Sequence, residues 1–277
     1  MIWRVLLAVA AGCFGVLAYV YVTLPDVRVL ARTNPKDTAF MRLRKDEAAL
    51  NGRTARQVQR WVPYSRISQN LKRAVLVAED DAFFQHEGVD FDQLRESIEV
   101  DLTRGRAVRG ASTITQQLAK NLYLSPSRDP LRKLREWIVA RRLEAALPKA
   151  RIFEIYLNVI EWGDGIWGAE AASRIYFGVS ASALSPSQAA LLAGAIINPR
   201  VLTPGRPTVR LRRRQELILS RMGGVTPPLA SPTQTERPEP VAEPPAPTSE
   251  PEVPSDAVPA ERVDPDSVSA STLPPER

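Results

Sequence analysis

The sequence predicts a mainly α fold, and three observations predict it. Apolar residues recur at helical spacing through the middle of the chain, the segments carrying them open and close with helix caps, and no stretch alternates convincingly as a half-buried strand does. A chain of 277 residues has room for one or two domains, but the compositions of its two ends leave one folded domain between them.

Residues 5–22, VLLAVAAGCFGVLAYVYV, form an unbroken apolar run just after Arg4, long enough at about 1.5 Å per residue to cross a hydrocarbon layer of about 30 Å. A cleaved signal peptide has a shorter apolar core and a small-residue site after it, whereas this run ends in Tyr19, Tyr21, Thr23, Leu24 and Pro25. Residues 1–24 are therefore expected to be a transmembrane anchor and 25–59 a juxtamembrane segment. Cys13 is the only cysteine, which excludes an internal disulfide, and a small thiol inside a membrane helix is its plain reading. Arg28, Arg32 and Lys36 after the helix outnumber Arg4 before it. That count favours a cytoplasmic domain, but it loses force when a large domain follows.

Leu71, Val75, Ala78 and Ala82 mark one face of a helix that is expected to stop before Gly88, and Asp90 with Gln93 resembles a capping box for the next, through Leu94 and Ile98. Arg104, Arg106 and Arg109 interleave with glycines in a basic loop. Ile114 and Leu118 give a short helix its buried face. Asp129 and Pro130 form an N-cap and first-turn pair for a helix through Leu131, Leu134, Ile138 and Leu143 that Pro148 ends; KARIFEIYLNVIEW follows as another. GDGIWG, residues 163–168, matches a dinucleotide-binding pattern, but a helix precedes it and no acid follows at the required distance, so a turn between helices is expected. Ser185, Pro186 and Gln188 open a helix through Leu191 and Ile196, and Thr208 caps a last, heavily basic one with Arg210, Arg212, Arg213 and Arg214.

Residues 226–277 hold 14 of the 24 prolines and almost no large apolar side chains, the composition of a disordered tail. Ten acids against three arginines give that tail a net charge of −7, so the chain total of +6 leaves +13 on the residues before it. Such a surplus favours an anionic partner: phosphates, acidic lipid headgroups or nucleic acid.

Three stretches carry chemistry. EDDAFFQHEGVDF, residues 79–91, holds three consecutive acids and the only histidine; Glu79, Phe83 and His86 share one side if the helix persists, and burial beside an aromatic ring would raise the Glu79 pKa toward the range of a general base. An acidic helix end with Phe83 in the core is the structural alternative. In GASTITQQLAKN, residues 110–121, Thr113, Gln117 and Lys120 align on a polar face suited to sugar hydroxyls and phosphate oxygens, or else simply solvated. In RDPLRKLRE, Arg128, Arg132 and Glu136 recur every fourth residue, either as an exposed ion-pair ladder or as guanidinium groups that hold a pyrophosphate around a second carboxylate. One histidine and one membrane-buried cysteine exclude the familiar zinc sites, and nothing sets a serine beside His86 for triad chemistry.

In this order, EDDAFFQHEG, RGASTITQQLAKN, RKLRE, KARIFEIYLN and AALLAGAIINP resemble the ordered motifs of the peptidoglycan glycosyltransferases, family 51, across roughly residues 60–222. With no room for a penicillin-binding domain, the chain resembles the monofunctional members. The resemblance implies a mainly α, lysozyme-like, two-lobed glycosyltransferase domain over 60–223 and polymerisation of lipid II; the Pro-rich, acidic composition leaves 224–277 as the expected disordered tail. It implies that Glu79 takes the proton from the acceptor's 4-hydroxyl and that Lys120, Arg128 and Arg132 contact the donor's phosphates. Glu136 is the second glutamate, open to positioning the acceptor, helping to hold a divalent cation such as magnesium, or tuning the arginines. Asp80, Phe83, His86, Ser112, Thr113 and Gln117 fall in the same cleft, and Ala111 stands where many relatives have glycine. The implied partners are lipid II, the growing glycan strand, the membrane and other cell-wall synthesis or division proteins, not nucleic acid. The implied location is the inner membrane, single-pass, with the catalytic domain periplasmic. A lysozyme-type hydrolase and an inactive wall-binding scaffold are the rivals; a hydrolase needs no phosphate cluster.

Overall fold

The computed structural model describes residues 2–88, 112–124 and 131–229. Outside these lie the expected helix from Asp90, the Arg104–Arg109 loop, Arg128, the Asp129–Pro130 cap and the tail from residue 230 onward.

Helix α1 (Ile2–Thr23) is the apolar run, and most of its large side chains are exposed. Its far end is fastened to the domain: Val20 is buried, the Arg142 guanidinium lies 4.1 Å over the Tyr21 ring, and Arg142 Nη1 donates to the Leu24 carbonyl at 3.3 Å. The juxtamembrane stretch contains a helix that the sequence reading passed over. Thr38 caps α2 (Ala39–Leu50) by accepting from the Met41 N–H, and Arg44 on this helix pairs with both Glu47 and the buried Glu161.

Ser68 caps α3 (Gln69–Glu79), which buries Leu71, Ala74, Val75 and Leu76. Contrary to expectation this helix ends at Glu79 rather than near Gly88. Asp80 leaves helical geometry and spends its carboxylate elsewhere, accepting from the Ile114 N–H and bonding His86 Nε2, each at 2.9 Å. Glu79, Phe83 and His86 therefore do not share a helix face.

Thr113 caps α4 (Ile114–Tyr123), and Pro148 separates α5 (Arg132–Ala146) from α6 (Lys149–Val159). Asn158 on α6 holds the segment before α3, donating to the Val62 carbonyl and accepting from the Val62 N–H. Three short strands were not expected. β1 (Val58–Gln59) runs parallel to β3 (Ile166–Trp167), which pairs antiparallel with β2 (Glu161–Gly163). GDGIWG is thus the turn and second strand of a hairpin. Its glycines answer to close backbone approach: Gly165 and Gly168 have φ of +66° and +81°, and a Cβ on them would lie 2.3 Å from the Arg56 carbonyl and 2.7 Å from that of Asn158.

Helices α7 (Ala169–Phe177), α8 (Pro186–Ala195) and α9 (Val209–Arg221) complete the domain. Ser185 and Gln188 form the expected capping box on α8, and Thr208 caps α9 by accepting from the Leu211 N–H at 3.2 Å. α3 packs on α8 and α8 on α9, while α4 packs on α2, α5 and α6. The C-terminal end of α3 and the polar face of α4 meet where these two groups of helices join.

Candidate active site

Glu79 is the last residue of α3, with 12% of its side chain accessible. Its Oε2 accepts from Gln117 Nε2 at 2.9 Å, and its Oε1 lies 3.7 Å from Arg214 Nη2, beyond hydrogen-bond reach and without another partner among the described residues. Burial pushes the Glu79 carboxyl above its ordinary range; the Gln117 bond, then Arg214 and Lys120, oppose that rise, and Asp80 adds to it.

Gln117 sits one turn into α4. Its Oε1 accepts from the Tyr156 hydroxyl at 2.9 Å, which joins α6, α4 and α3 in one polar chain. Three residues on, Lys120 lies in the fields of two carboxylates. Burial holds its ammonium below the ordinary lysine range, with Glu136 and Glu79 pulling upward and Arg132 and Lys133 downward.

Glu136 is buried on α5, its two oxygens taken by Arg132 Nη1 at 3.1 Å and Lys133 Nζ at 2.6 Å. Lys133 also reaches Ser112 Oγ at 3.3 Å and Gln116 Oε1 at 3.4 Å, tying the start of α4 to α5. Three cations thus surround one carboxylate. Like-charge crowding with a positive surplus is costly in an empty site and is relieved when an anion enters.

The remaining expected residues divide by role. The buried Asp80 and half-buried His86 form the pair described above, and Thr113 Oγ1 donates to the Gly88 carbonyl at 2.7 Å, so these three join the residues just after α3 to the start of α4. Phe83 is fully buried among Phe84 and Phe153, with Lys149 Nζ 4.3 Å over its ring; it packs rather than lining an open surface. Sequence reasoning passed over Lys133 and Tyr156, and took Arg214 only for part of a basic helix.

A divalent cation does not fit the described residues of the site. No cluster of three His, Cys, Asp or Glu side chains occurs among the described residues, and Arg132 and Lys133 already occupy both oxygens of Glu136.

The sequence model of the Transglycosylase family matches residues 46–223, more than half of the chain. The chain belongs to the transglycosylase family. It is similar to the biosynthetic peptidoglycan transglycosylase of Janthinobacterium sp. (strain Marseille), 50% identical over 195 residues that cover 70% of this chain and 84% of the relative. The protein of the same name from Nitrosospira multiformis is 43% identical over 226 residues, 82% of this chain and 97% of the relative. That of Herminiimonas arsenicoxydans is 49% identical over 195 residues, 70% and 84% of the two chains. As a transglycosylase the chain is a glycosyltransferase, and its mainly helical domain is of the lysozyme-like type. The Gln117-held carboxylate and the cations around Glu136 both fall inside the matched span.

Proposed function

We propose that this transglycosylase acts in cell-wall synthesis by polymerising lipid II into linear glycan strands, with inversion at C1 and release of undecaprenyl pyrophosphate. The observation that carries the reading is the combination of Glu79, raised in pKa and with no hydrogen bond to Oε1 among the described residues, with the cation group of Lys120, Arg132 and Lys133. A glycosyl transition state gathers positive charge on the sugar ring and negative charge on the departing phosphate, so a carboxylate and cations are wanted on opposite sides of the bond.

Glu79 Oε1 takes the proton of the acceptor's 4-hydroxyl, and the freed oxygen pair attacks C1 of the donor sugar. The bond from C1 to the pyrophosphate oxygen breaks, and its electrons pass to the phosphates held by Lys120, Arg132 and, from the family resemblance, Arg128. Attack opposite the leaving group gives the β linkage. Glu79 then returns its proton to solvent. Gln117, Arg214 and Lys120 favour the ionised carboxylate beforehand, while burial makes it a stronger base than a free one.

The apolar α1 supports a single membrane anchor that keeps the domain beside a polyprenyl-linked substrate. Because peptidoglycan is assembled outside the cytoplasmic membrane, the domain belongs on the periplasmic side. A C-terminal phosphatase fusion active only in the cytoplasm would contradict this. The deciding assay combines the purified protein with labelled lipid II and separates products by size. Wild type is expected to lengthen glycan, and Glu79→Gln to lose at least ~100-fold in rate with unchanged circular dichroism. Wild-type rates in the variant would refute the assignment, and shortening of preformed glycan would indicate a hydrolase.

A further inference from the structure

Tyr156 takes no part in the reaction as just described, yet it is fully buried on α6, and its hydroxyl is bonded to Gln117 Oε1. An amide side chain has a donor end and an acceptor end of nearly equal shape. What stands at one end therefore decides which end faces the other way. Burial, with Glu79 and Asp80 nearby, pushes the Tyr156 phenol well above its ordinary range, so it remains an O–H donor throughout the neutral region. Here it donates to the Gln117 oxygen, and that leaves the Gln117 NH2 turned toward Glu79.

We propose that Tyr156 is a positioning residue for the transfer reaction: acting through Gln117, it fixes an N–H donor on Glu79 Oε2 and leaves Oε1 free for the sugar hydroxyl. This rests on the reading of Glu79 as the base. Among the described residues, the groups facing Glu79 are Arg214 from α9, Lys120 and Gln117 from α4, Tyr156 from α6, and Asp80 next to it in the chain. Gln117 opposes the effect of burial more than either cation does. A hydrogen bond to a carboxylate favours its ionised form, so a loosened Gln117 lets the Glu79 pKa climb.

Tyr156→Phe deletes one oxygen and no charge. The acid limb of the kcat profile on lipid II is expected to move up by about half to one pH unit, a fraction of a charge-assisted hydrogen bond, while KM stays unchanged. Tyr64→Phe is the control: it removes another buried phenol oxygen, bonded to the Pro228 carbonyl at 3.1 Å, and should leave the limb in place. Gln117→Met breaks both bonds of the chain and should move the limb at least as far, and adding Tyr156→Phe to it should move it no further. The carbon-13 signal of the Glu79 δ-carbon reports the titration without any turnover. If its midpoint and the acid limb move together, the proposal stands. If the midpoint moves and the limb does not, Tyr156 positions Glu79 but Glu79 is not the base. An unmoved midpoint in Tyr156→Phe, or a full further shift in the double variant, overturns the proposal.

Discussion

Glu79 holds an ionisable carboxylate where burial disfavours its charge, and that has a consequence for stability as well as for rate. A carboxyl whose folded pKa is raised contributes stability that is fully present below its unfolded value and is lost as pH rises through the folded one. Near neutral pH, Glu79→Gln should therefore unfold at a higher temperature than wild type, with the advantage shrinking as pH falls through the raised folded value and gone below about 4, the ordinary carboxylate range. Thermal melts of both proteins across pH check this; a less stable variant at pH 7.5 would mean that the cations more than offset burial. Lys120 gives the opposite sign. Its lowered pKa makes the charged form unwelcome until an anion arrives, so its contribution is lost as pH falls through the folded value. If its role is to meet a phosphate, Lys120→Met should cost about 10- to 100-fold in kcat/KM, the value of a charge-assisted hydrogen bond. Steady-state kinetics on lipid II test it, and an unchanged kcat/KM would remove Lys120 from the phosphate site.

Asp80 decides where α3 stops and α4 begins. One carboxylate oxygen satisfies the Ile114 N–H at the start of α4 and the other bonds His86, with the side chain almost wholly buried. Asp80→Ala should destabilise the domain by ~2–3 kcal/mol, because a buried N–H and a half-buried imidazole lose their partner together. Asp80→Asn keeps an acceptor for one of them and should cost less. Denaturant unfolding distinguishes the pair, and equal stability of all three proteins would deny the clamp. Such tertiary capping explains why the end of α3 could not be read from the sequence, whereas Ser185 with Gln188 and Thr208 could: their bonds close within four residues. The strands were equally hidden. Each is two or three residues long, and β2 and β3 are buried throughout, so no alternation exists to detect. In the candidate site, Glu79, Gln117, Lys120 and Glu136 stood out as candidates by chemical type and spacing, but each stretch also fitted a plain structural reading, and only the order of all the motifs together favoured a site. Tyr156 and Arg214 did not, since a tyrosine in an apolar helix and an arginine among arginines acquire meaning only from partners far away in sequence, 39 residues in the case of Tyr156 and Gln117, while Lys133, three residues from its partner Glu136, was hidden by the basic run around it.

The helix that carries the cation group also holds the end of the apolar α1. α5 begins with Arg132, Lys133 and Glu136 and, some ten residues later, presents Arg142 to the Tyr21 ring and the Leu24 carbonyl at the end of α1. At about 1.5 Å per residue the two sites lie roughly 15 Å apart along one rigid rod. If α1 spans the bilayer as proposed, Arg142 sets the height of the cation group above the surface on which a lipid-borne pyrophosphate sits. Two variants separate tethering from height. Removing residues 1–23 abolishes the tether and should reduce polymerisation in lipid vesicles by ~100-fold or more, the loss of a millimolar effective concentration, while affecting it much less in detergent. Arg142→Ala keeps the tether, so the protein should still float with vesicles. Its rate there should nevertheless fall several-fold, with little change in detergent, where the substrate is free to approach at any angle. If Arg142→Ala matches wild type in vesicles, attachment alone suffices and the rod does not gauge the distance; if it fails equally in both media, Arg142 acts on the fold of the domain and not on its placement.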